Sequence, residues 1–353
     1  MRFRCLFTPF LLIFLFILPA FSQPASPTLK PRFVPRRNLG LVFTKLKAGK
    51  TLNVAYLGGT AAPDKNSYRA FLNSWFRAQF PSAKINELNS IIAGTASPYA
   101  AIRVRRDVVE QKPDLVFLEF ASTDSSYKED DIKKSMEGII RQLLAVSQPP
   151  EIVMVYPTES QNSEVKKWHE EIANYYHLPT LNFSDEASVN AFLEPQLKET
   201  TSPLIRILPG YLLSDEMTYG ELKPFAELGR SVMWKTEATT DKNLPSILLA
   251  ADKAASEITT SFEGTVVGLS FRMGPDSGMI ECLIDDKPAP LPLKQIDLYA
   301  PEHHIGTSII AGGLPPGEHK LTIKVIAEKN PKSSGMWVRL GAFLIGGARP
   351  EKL

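Results

Sequence analysis

From residue 51 to 182, short apolar runs alternate with segments whose apolar residues recur every three to four positions. The runs 52–57 (LNVAYL), 83–88 (AKINEL), 114–120 (DLVFLEF), 151–156 (EIVMVY) and 178–182 predict five strands. Between them, Tyr68, Phe71, Leu72, Trp75 and Phe76 fall on one face of a helix over 67–79. Helices are likewise predicted over 98–111, around Ile132, Met136, Ile139, Ile140, Leu143 and Leu144, and over 164–176. Near-continuous apolar strands separated by amphipathic helices mean a parallel sheet covered on both faces. The expected fold is therefore α/β, a three-layer α/β/α flavodoxin-like domain over 47–228. Ligands of such sheets bind beyond the carboxyl ends of the strands, which singles out the loops 58–66, 89–98 and 121–128.

After about Gly229 the helical period disappears. Short β-rich runs take over at 231–235, 247–250, 257–262, 265–272, 279–284, 307–310, 319–326 and 336–345, punctuated by turns such as 274–278 (GPDSG) and 315–317 (PPG). This pattern predicts an all-β, jelly-roll-like sandwich over 229–349. Residues 23–46, rich in proline and basic residues, read as a loose lead-in.

The first residues follow another pattern. Arg2 and Arg4 precede a charge-free apolar run over 6–21, and Ala20-Phe21-Ser22 supplies small residues at its exit. That is a secretory signal, with cleavage expected after Ser22. The run is short for a membrane span and contains Pro9 and Pro19, so stable membrane insertion after cleavage is not expected. Cleavage takes two arginines from the 40 basic residues and none of the 38 acidic ones, leaving a formally neutral chain. Neutrality argues against a nucleic-acid partner. Cys5 leaves with the signal, so Cys282 stands alone and no internal disulfide can form. Its neighbours Ile280, Leu283 and Ile284 mark a buried strand thiol. No Cys/His spacing resembles a metal site, and no cofactor is expected.

Four segments then carry a resemblance. 56–60 (YLGGT), 89–97 (NSIIAGTAS), 113–124 (PDLVFLEFASTD) and 214–220 (SDEMTYG) resemble, in order and spacing, the four signature blocks of the SGNH, or GDSL, hydrolases. The resemblance covers roughly 50–228 and is closest to bacterial members, several of which carry a β-sandwich on the same chain. It implies acyl-transfer chemistry: a serine nucleophile, a histidine base oriented by an aspartate, and an oxyanion hole of two backbone N–H groups and an asparagine. Matched block by block, Thr60 stands at the nucleophile, Gly94 and Thr123 at oxyanion positions, Asp215 at the triad acid, and Thr218 where the histidine belongs, with Tyr219 replacing the usual proline. All five are expected to meet at one mouth of the sheet.

The substitutions have unequal consequences. Threonine can be a nucleophile when a base activates it. A hydroxyl at 218 cannot be that base near neutral pH. Restoring both by Thr60→Ser with Thr218→His would then recover more hydrolysis than either change alone. Other histidines offer little: His169 and His177 read as surface positions on a helix and just after it, His319 as structural, and His303-His304 as a loop pair that could reach a neighbouring cleft. Asp124 and Asp215 could bind a sugar hydroxyl or a cation, or merely cap helices. Arg103, Arg105 and Arg106 read as a solvated helix face.

Two functions fit these residues. One is a secreted SGNH-like protein, impaired in or lacking ester hydrolysis, that binds carbohydrate, acylated glycan or another cell-surface ligand. The other is an active esterase of the carbohydrate O-deacetylase kind, with Thr60 as nucleophile and a base not visible in the sequence. A purely structural or assembly role is the third possibility. The carbohydrate link is one of family analogy.

Overall fold

A computed structural model describes residues 38–60, 66–160, 163–198, 208–228, 232–290 and 295–347. The signal segment 1–22 and most of the lead-in lie outside the described residues. The end of that lead-in, expected to be loose, is helix α1 (Gly40–Lys47), which buries Val42, Phe43 and Leu46.

The first half is a five-stranded parallel sheet. Its strands are β1 (Leu52–Gly58), β2 (Ile85–Ile91), β3 (Leu115–Glu119), β4 (Glu151–Pro157) and β5 (Thr180–Phe183), in the order β2-β1-β3-β4-β5. This is the flavodoxin-type order, whose crevice lies where the winding reverses, outside the carboxyl ends of β1 and β3. Alternate side chains of the central strands point to opposite faces. Val54, Tyr56, Phe117 and Val155 pack with α1, α2 (Tyr68–Gln79) and α6 (Glu186–Leu193). Ala55, Leu57, Leu118 and Met154 pack with α3 (Ser97–Asp107), α4 (Glu129–Leu144) and α5 (Glu164–Tyr175). Helix α6 is another element the sequence pattern did not announce. Its register begins from a capping box at Asp185 and Ser188, which satisfies the first free N–H groups.

The second half is a β-sandwich. One sheet runs β14 (His304–Ala311), β10 (Val266–Met273), β16 (Val338–Gly347), β8 (Ile247–Ala251) and β7 (Lys235–Ala238). β6 (Tyr219–Pro224) also pairs with β16. The other sheet runs β12 (Lys287–Pro288), β11 (Met279–Ile284), β15 (Glu318–Val325) and β9 (Glu257–Glu263), with β13 (Ile296–Asp297) on β11. β6 lies on the amino side of the expected boundary at 228/229, so the sandwich takes its first strand from the last block of the α/β half. The strand expected at 231–235 begins instead at Lys235.

This shared strand ties the halves together. All ten residues of β16 are buried, and so is the run Ser97–Val104 of α3 on every side. An amphipathic helix buries only one stripe. Over 97–104 helix α3 is buried all round because the parallel sheet covers one side and β6, β14 and β16 the other. Contact is closest at Gly220, where a Cβ would stand 2.3 Å from the Ile102 backbone, so only glycine fits.

Candidate functional site

At the carboxyl ends of β1 and β3, three of the five expected residues come together. A Cβ on Gly59 would lie 1.9 Å from the Thr95 carbonyl oxygen and 2.5 Å from Thr123 Oγ1, so the first, second and third blocks meet at one point. Gly94 adopts a left-handed φ of 76°, which glycine takes without steric cost, and turns the chain into α3.

Hydrogen bonds fix this mouth. The Thr60 N–H donates to Glu119 Oε2 at 3.2 Å. The Gly94 N–H donates to the Gly59 carbonyl at 2.8 Å. Thr123 Oγ1 donates to the Phe120 carbonyl at 3.3 Å. Each of the three groups expected to hold an oxyanion is thus engaged inside the protein. The Thr60 hydroxyl is buried without a hydrogen-bond partner among the described residues, as are the hydroxyls of Tyr68 and Ser97. Burial, with Glu119 nearby, pushes the Tyr68 phenol upward, so it stays protonated.

Asp124, next to Thr123, is wholly buried. Its Oδ1 accepts the Ser97 N–H at 2.7 Å, at the first turn of α3, and its Oδ2 meets His169 Nε2 at 2.9 Å. The carboxylate pins α3 to α5 beneath the mouth and satisfies an N–H left free at a helix start. His169 is therefore not at the surface but 1% exposed. The sequence carried a signal: with Val165, Ile172 and Ala173 it falls on one helical stripe, the stripe that faces the sheet. His177 follows α5 with a left-handed φ of 55°.

Asp215 and Thr218 are elsewhere. The segment 208–218 crosses the outer side of α4, away from the sheet. Glu137 accepts from the N–H groups of Leu212, Leu213 and Ser214 and from the Tyr176 hydroxyl. Arg141 donates to the carbonyls of Pro209 and Gly210, and Gln142 Nε2 to that of Met217. Glu216 pairs with Lys134. Residues 134, 137, 138, 141 and 142 make one face of α4, and the chain from 209 to 217 lies along it. Asp215 is exposed, and its carbonyl accepts from the N–H and hydroxyl of Thr218. Thr218 borders a cavity with Arg105 and Ala145, in or just past the last turns of α3 and α4. The cleft stands at the first turn of α3, eight residues earlier and about 12 Å away along its axis. The expected convergence holds for Thr60, Gly94 and Thr123 and fails for Asp215 and Thr218.

The other candidates also resolve. Arg103, expected in solvent, is fully buried, donating to Asp107 Oδ2 at 2.8 Å and to the Ser90 carbonyl at 2.9 Å. His303 and His304 turn their Nδ1 atoms to the Met273 and Glu302 carbonyls. His319 bridges Asp285 Oδ2 at 2.8 Å and the Pro315 carbonyl at 2.7 Å. Cys282 is buried, and desolvation pushes its thiol up to about 12. A cavity of about 760 Å³ lies at the opposite, amino ends of β3 and β4, against Asp114 and Glu151, and touches none of these groups.

No family model matches this chain, and no curated protein does. Among solved structures the chain is similar to a two-domain esterase active on acetylated mannans, with a TM-score of 0.72 and 18% identity over 89% of this chain and 96% of that one. A second structure of that kind, co-crystallized with mannopentaose, gives a TM-score of 0.72 and 18% identity over 90% and 97%. An acetylxylan esterase from Geobacillus stearothermophilus matches 42% of this chain and 81% of that one, at 16% identity and a TM-score of 0.32. At these identities the likeness to the two-domain structures is one of fold: a parallel α/β half with a β-sandwich on the same chain.

Proposed function

We propose that this chain is an exported, SGNH-like glycan-binding protein that does not hydrolyse esters. The observation carrying this is the occupation of all three oxyanion donors by internal acceptors, Glu119, Gly59 and Phe120. An oxyanion donor accelerates acyl transfer only if it is aimed at the charge that develops; removing one costs about 100- to 1000-fold. A second absence compounds this one, since no base lies within hydrogen-bond reach of the Thr60 hydroxyl among the described residues. The similarity in fold to an esterase active on acetylated mannans supports a glycan as ligand.

The test is turnover of an activated acetyl ester, and acetate release from acetylated mannan, by the purified protein. Rates at the buffer level are expected, together with measurable binding of the glycan. Because Thr218 lies on the outer side of α3 and α4, the pair Thr60→Ser with Thr218→His is expected to stay inactive as well. Ordinary esterase turnover that vanishes in Thr60→Ala would refute the proposal and favour the working esterase.

A further inference from the structure

The segment 208–218 walls a second concavity, on the outer side of α3 and α4 and separate from the cleft. It encloses about 300 Å³, between the last turns of the two helices and Tyr211. Three features define it.

The first is an exposed aromatic ring that is nevertheless fixed. Tyr211 is 49% exposed, and the Arg141 guanidinium carbon stands 3.7 Å from its ring centroid. The same guanidinium holds the carbonyls of Pro209 and Gly210, each at 2.9 Å, and the Tyr175 hydroxyl donates to Gly210 at 3.1 Å. With one face covered by the guanidinium, the exposed half of the ring is the other face. Fixing a side chain in advance removes the ordering cost of binding.

The second is Gln142, which lines the cavity and is 8% exposed. Its Nε2 donates to the carbonyls of Ala101 at 2.7 Å and Met217 at 3.0 Å, which fixes the orientation of the amide. Its Oε1 is buried and has no donor among the described residues. With that oxygen closed off from solvent and the NH₂ group tied to two carbonyls, the amide is a fixed part of the wall and not a point of contact. The third is the rim. Arg105 and Glu110 face each other at 3.8 Å, too far for a hydrogen bond, with side chains 37% and 58% exposed. They offer planar donors and acceptors to vicinal hydroxyls.

We infer that this concavity is a binding site for one pyranose ring of a neutral glycan. The apolar C–H face of such a ring stacks on Tyr211, and its hydroxyls meet Arg105 and Glu110. The volume is at the small end for ligand sites, in keeping with a single ring. A polyanion is disfavoured, because Arg141 is committed to carbonyls and Glu110 offsets Arg105. The choice of a sugar rests on the proposed function; the site itself uses no cleft residue.

Mannopentaose and xylopentaose, titrated calorimetrically into wild type, Tyr211→Ala, Tyr211→Phe and the cleft-filling Thr60→Arg, test the inference. Wild type is expected to bind at least one pentaose, Tyr211→Ala at least tenfold more weakly, and Tyr211→Phe within about twofold. Binding retained in Thr60→Arg and lost in Tyr211→Ala supports this site even if the cleft binds nothing. Binding lost in Thr60→Arg and unchanged in Tyr211→Ala overturns it and leaves the cleft proposal standing. Absence of binding to either pentaose overturns it too. So does sedimentation showing that Tyr211→Ala only turns a dimer into a monomer, since the surface would then be a contact between copies.

Discussion

Replacing Glu137 by glutamine keeps the shape of the side chain and removes its charge. Glu137 Oε1 accepts from the Tyr176 hydroxyl and the Leu212 N–H, both at 2.6 Å. Oε2 accepts from Leu213 at 2.9 Å and Ser214 at 3.2 Å. With its oxygen toward Leu213 and Ser214, the glutamine turns its NH₂ group to the Tyr176 hydroxyl, which can accept, and leaves the Leu212 N–H facing a donor. That N–H loses its acceptor, at about 1–3 kcal/mol if dry, and the Tyr176 hydroxyl loses its own. Leu213 is 39% exposed, so water reaches this loop and the low end applies. Including the lost charge assistance, the local cost is about 2–3 kcal/mol. At 1.4 kcal/mol per tenfold, amide exchange at 212–214 is expected to quicken about 30- to 100-fold. Hydrogen-exchange mass spectrometry on peptides covering 208–218 reads this directly. Glu137→Ala, which removes both oxygens, is expected to loosen the segment further. Exchange within threefold of wild type in Glu137→Gln would refute the view that this carboxylate routes the last block along α4.

Gly59→Ala places a methyl 1.9 Å from a backbone carbonyl that cannot swing aside; a loss of about 3 kcal/mol or more is expected in urea unfolding, at the upper end for overpacking. His319 sits between two acceptors, the Pro315 carbonyl and then Asp285 raising its pKa above 6.5. A raised folded-state value means that its stabilisation is full below pH 6.5 and fades as pH rises through the folded value. The stability gap between wild type and His319→Gln is therefore expected to narrow from pH 6 to pH 9; a gap that widens would contradict this. Cys282, with its thiol pushed up to about 12, is expected to resist a thiol reagent at pH 8 until the protein is unfolded.

Local pattern alone determined much of this molecule. Five apolar strands with helices between them, and the later run of short strands, follow from periodicities of 3.6 and 2, and all but the run at 231–235 have their counterparts in the structure. The meeting of Thr60, Gly94 and Thr123 was also legible, because loops at the carboxyl ends of β1 and β3 must share one crevice in this winding. Only the tertiary structure decided the rest. The last block reads in sequence as triad acid and base positions, yet Glu137, Arg141, Gln142 and Gly138 draw it onto the far side of α4, and β16 takes its continuation as strand β6. Those partners are distant in sequence, and no local spacing records them. Arg103 shows a related limit: its helix looks half-solvated in sequence, but the side chain turns to the Ser90 carbonyl of β2 and to Asp107 and is buried there. His169 is the intermediate case. Its stripe was visible, while its partner Asp124, 45 residues away on another element, was not. Periodicity encodes which side of an element is buried against its own layer; what covers the other side, and which donors are already engaged there, is set by contacts that only the folded chain brings together.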